Sequence, residues 1–203
     1  MLSQVHWLGH AGIKITGSRV IYVDPYQIRT PEPADLILIT HDHYDHYSPD
    51  DIERIRKKET VIVAPFLIPG KNGPRVETIA VGEQIEIEGV IVQAVSSYNI
   101  GKRFHPQQKG NVGYVFRSDD VTYYHAGDTD YIPEMKAIRA DVVFLPVGGT
   151  YTMNPQEAAK AASDIGPRVA VPIHWGSVVG SRDDADLFAR ICKACQVQIL
   201  SPE

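Results

Sequence analysis

Between Thr40 and Asp51 the chain reads THDHYDHYSPDD, gathering His41, His43, Asp45 and His46 into one short stretch. Imidazole and carboxylate side chains together are the usual ligands of borderline-hard divalent cations such as zinc. Along an extended segment residues two apart point the same way, so His41 and His43 can share one ion. Asp45 and His46, carried aside where the chain turns, are better placed for a second. The pattern suits the beginning of a two-metal site; the competing reading is an exposed polar loop whose histidines are incidental.

A pair of ions needs further ligands, and three later segments offer them. Asp128 in YYHAGDTD follows the small pair Ala126-Gly127, whose turn would let its carboxylate approach and bridge two cations. His174 closes the apolar run of VAVPIHWG, and His105 lies in the polar loop GKRFHPQQKG. Taken singly, Asp128 also reads as a turn residue and His174 as a core histidine; the cluster gives both a shared purpose. Two cations sharing Asp128 and a bridging water would bring that water's pKa from about 15.7 toward about 7. The resulting hydroxide is the expected nucleophile, with Asp45 and Asp128 as the catalytic carboxylates. No G-x-S-x-G elbow or Walker-type loop points to other chemistry.

The elements around these residues must bring them together. Short β-branched runs, QVHWL, GIKIT, VIYVDP and DLILIT, precede the cluster, and SPDDIERIRKKE follows it as a helix with Ser48 as N-cap and Pro49 in its first turn. TVIVAPF reads as a strand, GPRVETIAVGEQIEIEGVIVQAVSS as strands broken at Val81-Gly82-Glu83 and Glu88-Gly89, and VGYVFRS and VTYYHAG as a pair turning at Asp119-Asp120. The last third alternates: ADVVFLPVGG, a helix capped by Asn154 and Glu157, RVAVPIHWG, the helix RDDADLFARICKAC, and a final strand QVQIL. Strands first and strand-helix alternation later predict a layered α/β domain with mixed sheets spanning residues 1–203.

Composition sets the outer limits. A chain of 203 residues with 43% hydrophobic and 22% charged residues is an ordinary globular protein. The amino-terminal MLSQVHWLGH lacks a signal-peptide layout and no apolar run reaches membrane-spanning length, so a cytoplasmic protein without membrane contact is expected. A net charge of −5 argues against a general grip on nucleic acid. Lys102, Arg103, His105 and Lys109 suggest that one loop receives an anionic group of a small-molecule substrate, a solvated basic loop being the alternative. Tyr151 and Trp175 either wall the pocket or pack, and the VGGT turn at Val147–Thr150 either supplies backbone donors to an oxyanion or only turns the chain. Cys192 and Cys195 are expected on one helix face as ordinary thiols.

Taken in order, WLGHAGIKI, IYVDP, ITHDHYDHYSP, YYHAGDTD, LPVGGTYTMNPQEAA and VPIHWG resemble the metallo-β-lactamase superfamily across nearly the whole chain. The nearest likeness is to small single-domain metal-dependent hydrolases related to L-ascorbate-6-phosphate lactonase and N-acyl-phosphatidylethanolamine phospholipase D. The resemblance implies a four-layer αββα sandwich of two mixed sheets flanked by helices. It further implies that His41 and His43 hold one metal, Asp45 and His46 the other, that Asp128 bridges, and that His174 completes the second site. Asp24 would orient the ligand loop. Relatives place the remaining histidine at the end of VQAVSS, where this chain has Val95, Ser96 and Ser97, so His105 is expected to swing in as the replacement. His10, in a Gly-His motif of the relatives, is left between an edge-of-site role and packing; His125 and His6 read as structural.

The expected activity is a two-metal hydrolase of an ester, lactone or phosphodiester in a small, anionic substrate, with zinc as the default ion and manganese or iron as alternatives. The rival readings are a nucleic-acid or cyclic-nucleotide phosphodiesterase, a di-iron oxidoreductase and a noncatalytic metal-binding module. Homo-oligomerisation is compatible with each.

Overall fold

The computed structural model describes residues 2–68 and 75–203. The amino-terminal sheet contains β1 (Val5–Gly9), β2 (Gly12–Ile15), β3 (Ile21–Val23), β4 (Ala34–Leu38), β5 (Arg56–Ala64) and β6 (Arg75–Thr78). The second contains β7 (Gln84–Ile87), β8 (Val90–Ser96), β9 (Val112–Ser118), β10 (Val121–His125), β11 (Val142–Pro146), β12 (Val169–Ile173) and β13 (Gln196–Val197). In both, neighbours in space are neighbours in sequence. β1 to β3 pair antiparallel and β3 to β6 parallel. In the second sheet β7 to β10 are antiparallel and β10 to β13 parallel. Both sheets are therefore mixed, as the sequence led us to expect.

Strand periodicity explains the layers. Ile21 and Val23, Leu36 and Leu38, and Val61 and Val63 enter the core between the sheets, while Tyr22, Ile37 and Ile62 between them point to the opposite face. There they meet Ile52 and Ile55 of α1 (Pro49–Ile55). Because β3, β4 and β5 are covered on both faces, they read as continuous apolar runs rather than alternating ones. On the far side, α2 (Pro155–Ile165) packs on β11 and α3 (Arg182–Ile191) on β12. The result is an α/β four-layer sandwich, helix, sheet, sheet and helix.

Several boundaries differ from expectation. Ser48 accepts from the Asp51 amide and caps α1 as predicted, yet the helix stops at Ile55 and RKKE does not continue it. Arg56 instead begins β5, because pairing with β4 and the Lys57–Asp35 ion pair hold these residues extended. Likewise α3 ends at Ile191, so Cys192 caps the helix and Cys195 lies beyond it. Their sulfurs are 3.8 Å apart and both thiols are free; burial pushes the Cys195 thiol up to about 12. The final strand shrinks to Gln196–Val197. Gly82 marks a passage from one sheet to the other, whereas Glu88-Gly89, with φ of 50° and 86°, is a true hairpin turn between β7 and β8. The start of the strand expected from Gly73 and Pro74 lies outside the described residues.

Candidate metal centre

The clustered side chains stand at the carboxyl ends of parallel strands, where open α/β sheets place their sites. Asp24 follows β3, the His41–His46 loop follows β4, Asp128 follows β10 and His174 follows β12. His10 sits in the β1–β2 turn. His10, Asp24, His105 and His174 all have φ between 47° and 59°. Left-handed backbone at four non-glycine residues of one cluster is strain concentrated where side chains must be aimed.

The His41–His46 segment does not use strand alternation. β4 ends at Leu38, and the amides of His46 and Tyr47 both donate to the His43 carbonyl, closing a turn. His41 and His43 therefore face each other through different atoms, His41 Nε2 lying 3.1 Å from His43 Nδ1. His105 Nε2 is also 3.1 Å from His43 Nδ1. Two imidazole nitrogens on a tetrahedral ion with bonds of about 2.0–2.1 Å would stand about 3.3 Å apart, so this triad has the spacing of a metal site.

A second group consists of His10, Asp45, His46 and His174. Asp128 stands between the groups. Its Oδ2 is 3.4 Å from His105 Nε2 and 3.1 Å from His174 Nε2, and its Oδ1 is 3.2 Å from His46 Nε2. All these atoms are close, yet His46 Nε2, His174 Nε2 and Asp128 Oδ1 are buried without a properly angled hydrogen bond. Buried polar atoms are rarely left unpartnered. Groups that converge on a shared point instead of on each other fit divalent cations.

The proton positions agree. Asp24 is fully buried and accepts from the Thr40 amide at 2.8 Å, the Thr40 hydroxyl at 2.7 Å and His46 Nδ1 at 2.7 Å. The Thr40 hydroxyl spends its one proton on Asp24, so at 2.9 Å it accepts from His41 Nδ1. One carboxylate thus holds Nδ1 of both histidines, directly for His46 and through Thr40 for His41, and turns both Nε2 atoms inward. Asn99 steadies His105 by donating to the Phe104 and Tyr151 carbonyls on either side of it.

Charge follows the same geometry. Burial opposes ionisation of Asp128, but His174 and His46 outweigh it and hold the carboxyl well below its ordinary range. Burial also opposes a charged His46, and Asp128 with Asp24 overcome it, raising that histidine well above its usual value. Burial keeps His41 well below the ordinary value and lowers His105.

The end of β8, where this chain has Val95, Ser96 and Ser97 instead of the histidine that the family resemblance implied for relatives, lies beside Asp128. Ser97 is buried and its hydroxyl donates to the Asp128 carbonyl. A Cβ on Gly127, whose φ is 65°, would stand 3.0 Å from that hydroxyl and 2.9 Å from the Val112 carbonyl, so glycine is required for the approach of Asp128. His10, left open by the sequence, is buried and meets Asp45 Oδ2 through Nε2 at 2.9 Å. Its carbonyl accepts from the His174 amide at 2.7 Å, tying the two sheets together at the site. His125 is core, with Nε2 donating to the Ala11 carbonyl at 2.9 Å; His6 bonds Thr16 at 3.0 Å outside the cluster.

Three alternatives that the sequence left open are decided by the packing. Lys102 is bound by Asp130 and by the Gly149 and Thr152 carbonyls, so it is structural. Trp175 packs on Trp7 with centroids 4.5 Å apart and planes tilted by 31°, while Tyr151 does line the cavity. The amides of Gly149 and Thr150 donate to Met153 and Gly148 carbonyls and are not available as oxyanion donors.

The comparisons with known proteins agree with this geometry. The beta-lactamase superfamily domain matches residues 4–174. A metal-dependent hydrolase of the UPF0173 group from Thermococcus kodakarensis is 35% identical, over 98% of this chain and 96% of its own. A solved structure from Parabacteroides distasonis, assigned as a metal-dependent hydrolase, is 31% identical with a TM-score of 0.79, covering 96% of this chain and 91% of that one. A metallo hydrolase from Ignicoccus hospitalis shares the fold at 20% identity with a TM-score of 0.80, over 98% and 94% of the two chains. The chain belongs to the beta-lactamase superfamily and, within it, to the UPF0173 metal-dependent hydrolases. No helix among the described residues is long and apolar enough to cross a membrane.

Proposed function

We propose that the protein hydrolyses an ester, lactone or phosphodiester bond of a small molecule with two divalent cations, zinc by ligand preference. His41, His43 and His105 would hold one ion, Asp45, His46 and His174 the other, and Asp128 both. The observation that carries this reading is the Asp128 carboxylate, within 3.4 Å of imidazole nitrogens from both groups. When bound, the ions would acidify a water and polarise the oxygen of the scissile group.

The chain's own residues have separate tasks. Asp24 and Thr40 hold His41 and His46 by Nδ1 with Nε2 facing inward, where a cation would take the place of any Nε2 proton. Asp45 is held at one oxygen by His10, leaving the carboxylate at the cavity wall, where it would orient a water and accept its proton. The cavity of about 390 Å³ opens directly onto Asp45, Asp128, His43 and His174, so a substrate reaches these groups without opening the fold.

Elemental analysis of wild type and His105→Ala, with turnover of ester, lactone and phosphodiester panels, tests the proposal. About two ions in wild type, falling toward one in the variant, with turnover of at least one panel, is the expected result. One ion or none after metal-supplemented expression, unchanged by the substitution, would overturn it.

A further inference from the structure

Resting on that reading, the mouth of the cavity carries information about what the substrate looks like beyond its reactive bond. The floor is made by the cluster, but the rim is Tyr44, Phe104, Tyr151 and Val178. Three of these are unusually exposed for apolar side chains: Tyr44 at 66%, Phe104 at 43% and Val178 at 39%. Phe104 and Tyr151 meet edge to face with centroids 5.3 Å apart, a preferred aromatic arrangement that braces both rings. Exposed apolar side chains scattered singly need no explanation, but several converging on one reactive cavity do.

The charges nearby point the same way. Among the described residues no lysine or arginine lines the cavity, and the one additional charged rim residue is Asp42. Lys102 is held by Asp130 and two carbonyls, Lys109 leans toward Asp42 at 3.6 Å, and Arg103 lies over the Phe104 ring at 5.9 Å. A second phosphate or carboxylate carried away from the reacting bond would find one aspartate and no cation among the lining residues, the exposed Arg103 and Lys109 standing beside them on Phe104 and Asp42. A phenyl or alkyl group would instead cover Phe104, Tyr151 and Val178 and remove their surface from water.

We propose that the site selects substrates whose group beside the scissile bond is neutral and aromatic or branched alkyl, with Phe104, Tyr151 and Val178 as its specificity-determining contacts. Any negative charge of the substrate is then confined to the reacting group itself, where the bound ions meet it.

Three carboxylates that share a metal-facing end and differ at the far end separate these terms: 3-phenylpropanoate, butanoate and glutarate. Their dissociation constants for the metal-loaded protein are measured by calorimetry. The expected result is that 3-phenylpropanoate binds about tenfold more tightly than either of the others, an advantage worth about 1.4 kcal/mol. In Phe104→Ala and in Val178→Asp, both at partly exposed positions, the ratio between 3-phenylpropanoate and butanoate falls toward one. Equal affinities, tighter glutarate, or an unchanged ratio in both variants would overturn the proposal. If esters, lactones or phosphodiesters turn over while the three ligands bind alike, the aryl preference fails and the hydrolase stands. If the aryl preference and its loss in the variants appear without any turnover, the hydrolase fails and the apolar subsite stands.

Discussion

Replacing Asp24 by asparagine tests whether the buried carboxylate behind the cluster sets the chemistry in front of it. Asp24 accepts three hydrogen bonds, two at Oδ2 from Thr40 and His46 and one at Oδ1 from the Thr40 amide. An asparagine keeps only one acceptor atom. In its better orientation the amide oxygen serves Thr40 Oγ1 and His46, and the amide nitrogen then confronts the Thr40 N–H. That buried donor costs about 1–3 kcal/mol, and replacing two charged acceptors by neutral ones adds about 1 kcal/mol. The metal-free variant should therefore unfold about 2–4 kcal/mol more easily in a denaturant titration. Because His46 Nδ1 loses its carboxylate, the elevated pKa of His46 should fall toward its ordinary value, read by NMR titration. Metal affinity, measured by competition with a chromophoric chelator, should drop about 10–100-fold. A variant within about 1 kcal/mol of wild-type stability that binds metal within about threefold of wild type would refute the argument that Asp24 orients the two histidines.

Other outcomes follow from the same geometry. Burial lowers His41, His105, His10 and His125 in the metal-free fold, so each takes up its proton at a lower pH there than its unfolded counterpart, which does so at about pH 6.5. Stability from these four is present above that pH and is lost as pH falls toward their folded values. His46 acts oppositely: raised in the fold, it contributes below about pH 6.5 and loses that contribution as pH rises through its folded value. Four against one predicts that chelator-treated protein melts at lower temperature at pH 5.5 than at pH 7; a flat or inverted profile would contradict it. Gly127→Ala should cost about 2–4 kcal/mol, from left-handed strain plus contact with the Val112 carbonyl. Gly166→Ala, with φ of 69° and open space around the new carbon, should cost only about 1 kcal/mol in the same unfolding assay, separating strain from crowding.

What could be read from the sequence depended on how locally each feature is determined. The Ser48 and Asn154 caps appear where expected because a cap is settled within one turn of chain. The β3, β4 and β5 runs announce buried strands through composition alone. The end of α1 was not legible, because RKKE has no strand signature and is extended only through a β4 neighbour some twenty residues earlier. The cluster was legible as ligand chemistry from residue type and spacing, but its geometry was misjudged. His41 and His43 converge through Nε2 and Nδ1 across a turn, and nothing in H-x-H distinguishes that from two rings on one strand face.

The least legible residues are those that act through another residue. His10 lies 35 positions from Asp45 and reaches it only because the β1–β2 turn is hung on the His174 amide from the opposite sheet. Lys102 looked like a receptor for anions for the same reason in reverse: its charge is written in the sequence, while Asp130 and the two carbonyls that consume it are brought in from another loop. Ligand type is a property of single side chains, whereas availability is a property of their surroundings. For this site the surroundings consume Lys102 and the cavity's rim is apolar, so the substrate's neutral portion, as well as its charge, becomes a quantity that a binding experiment should vary.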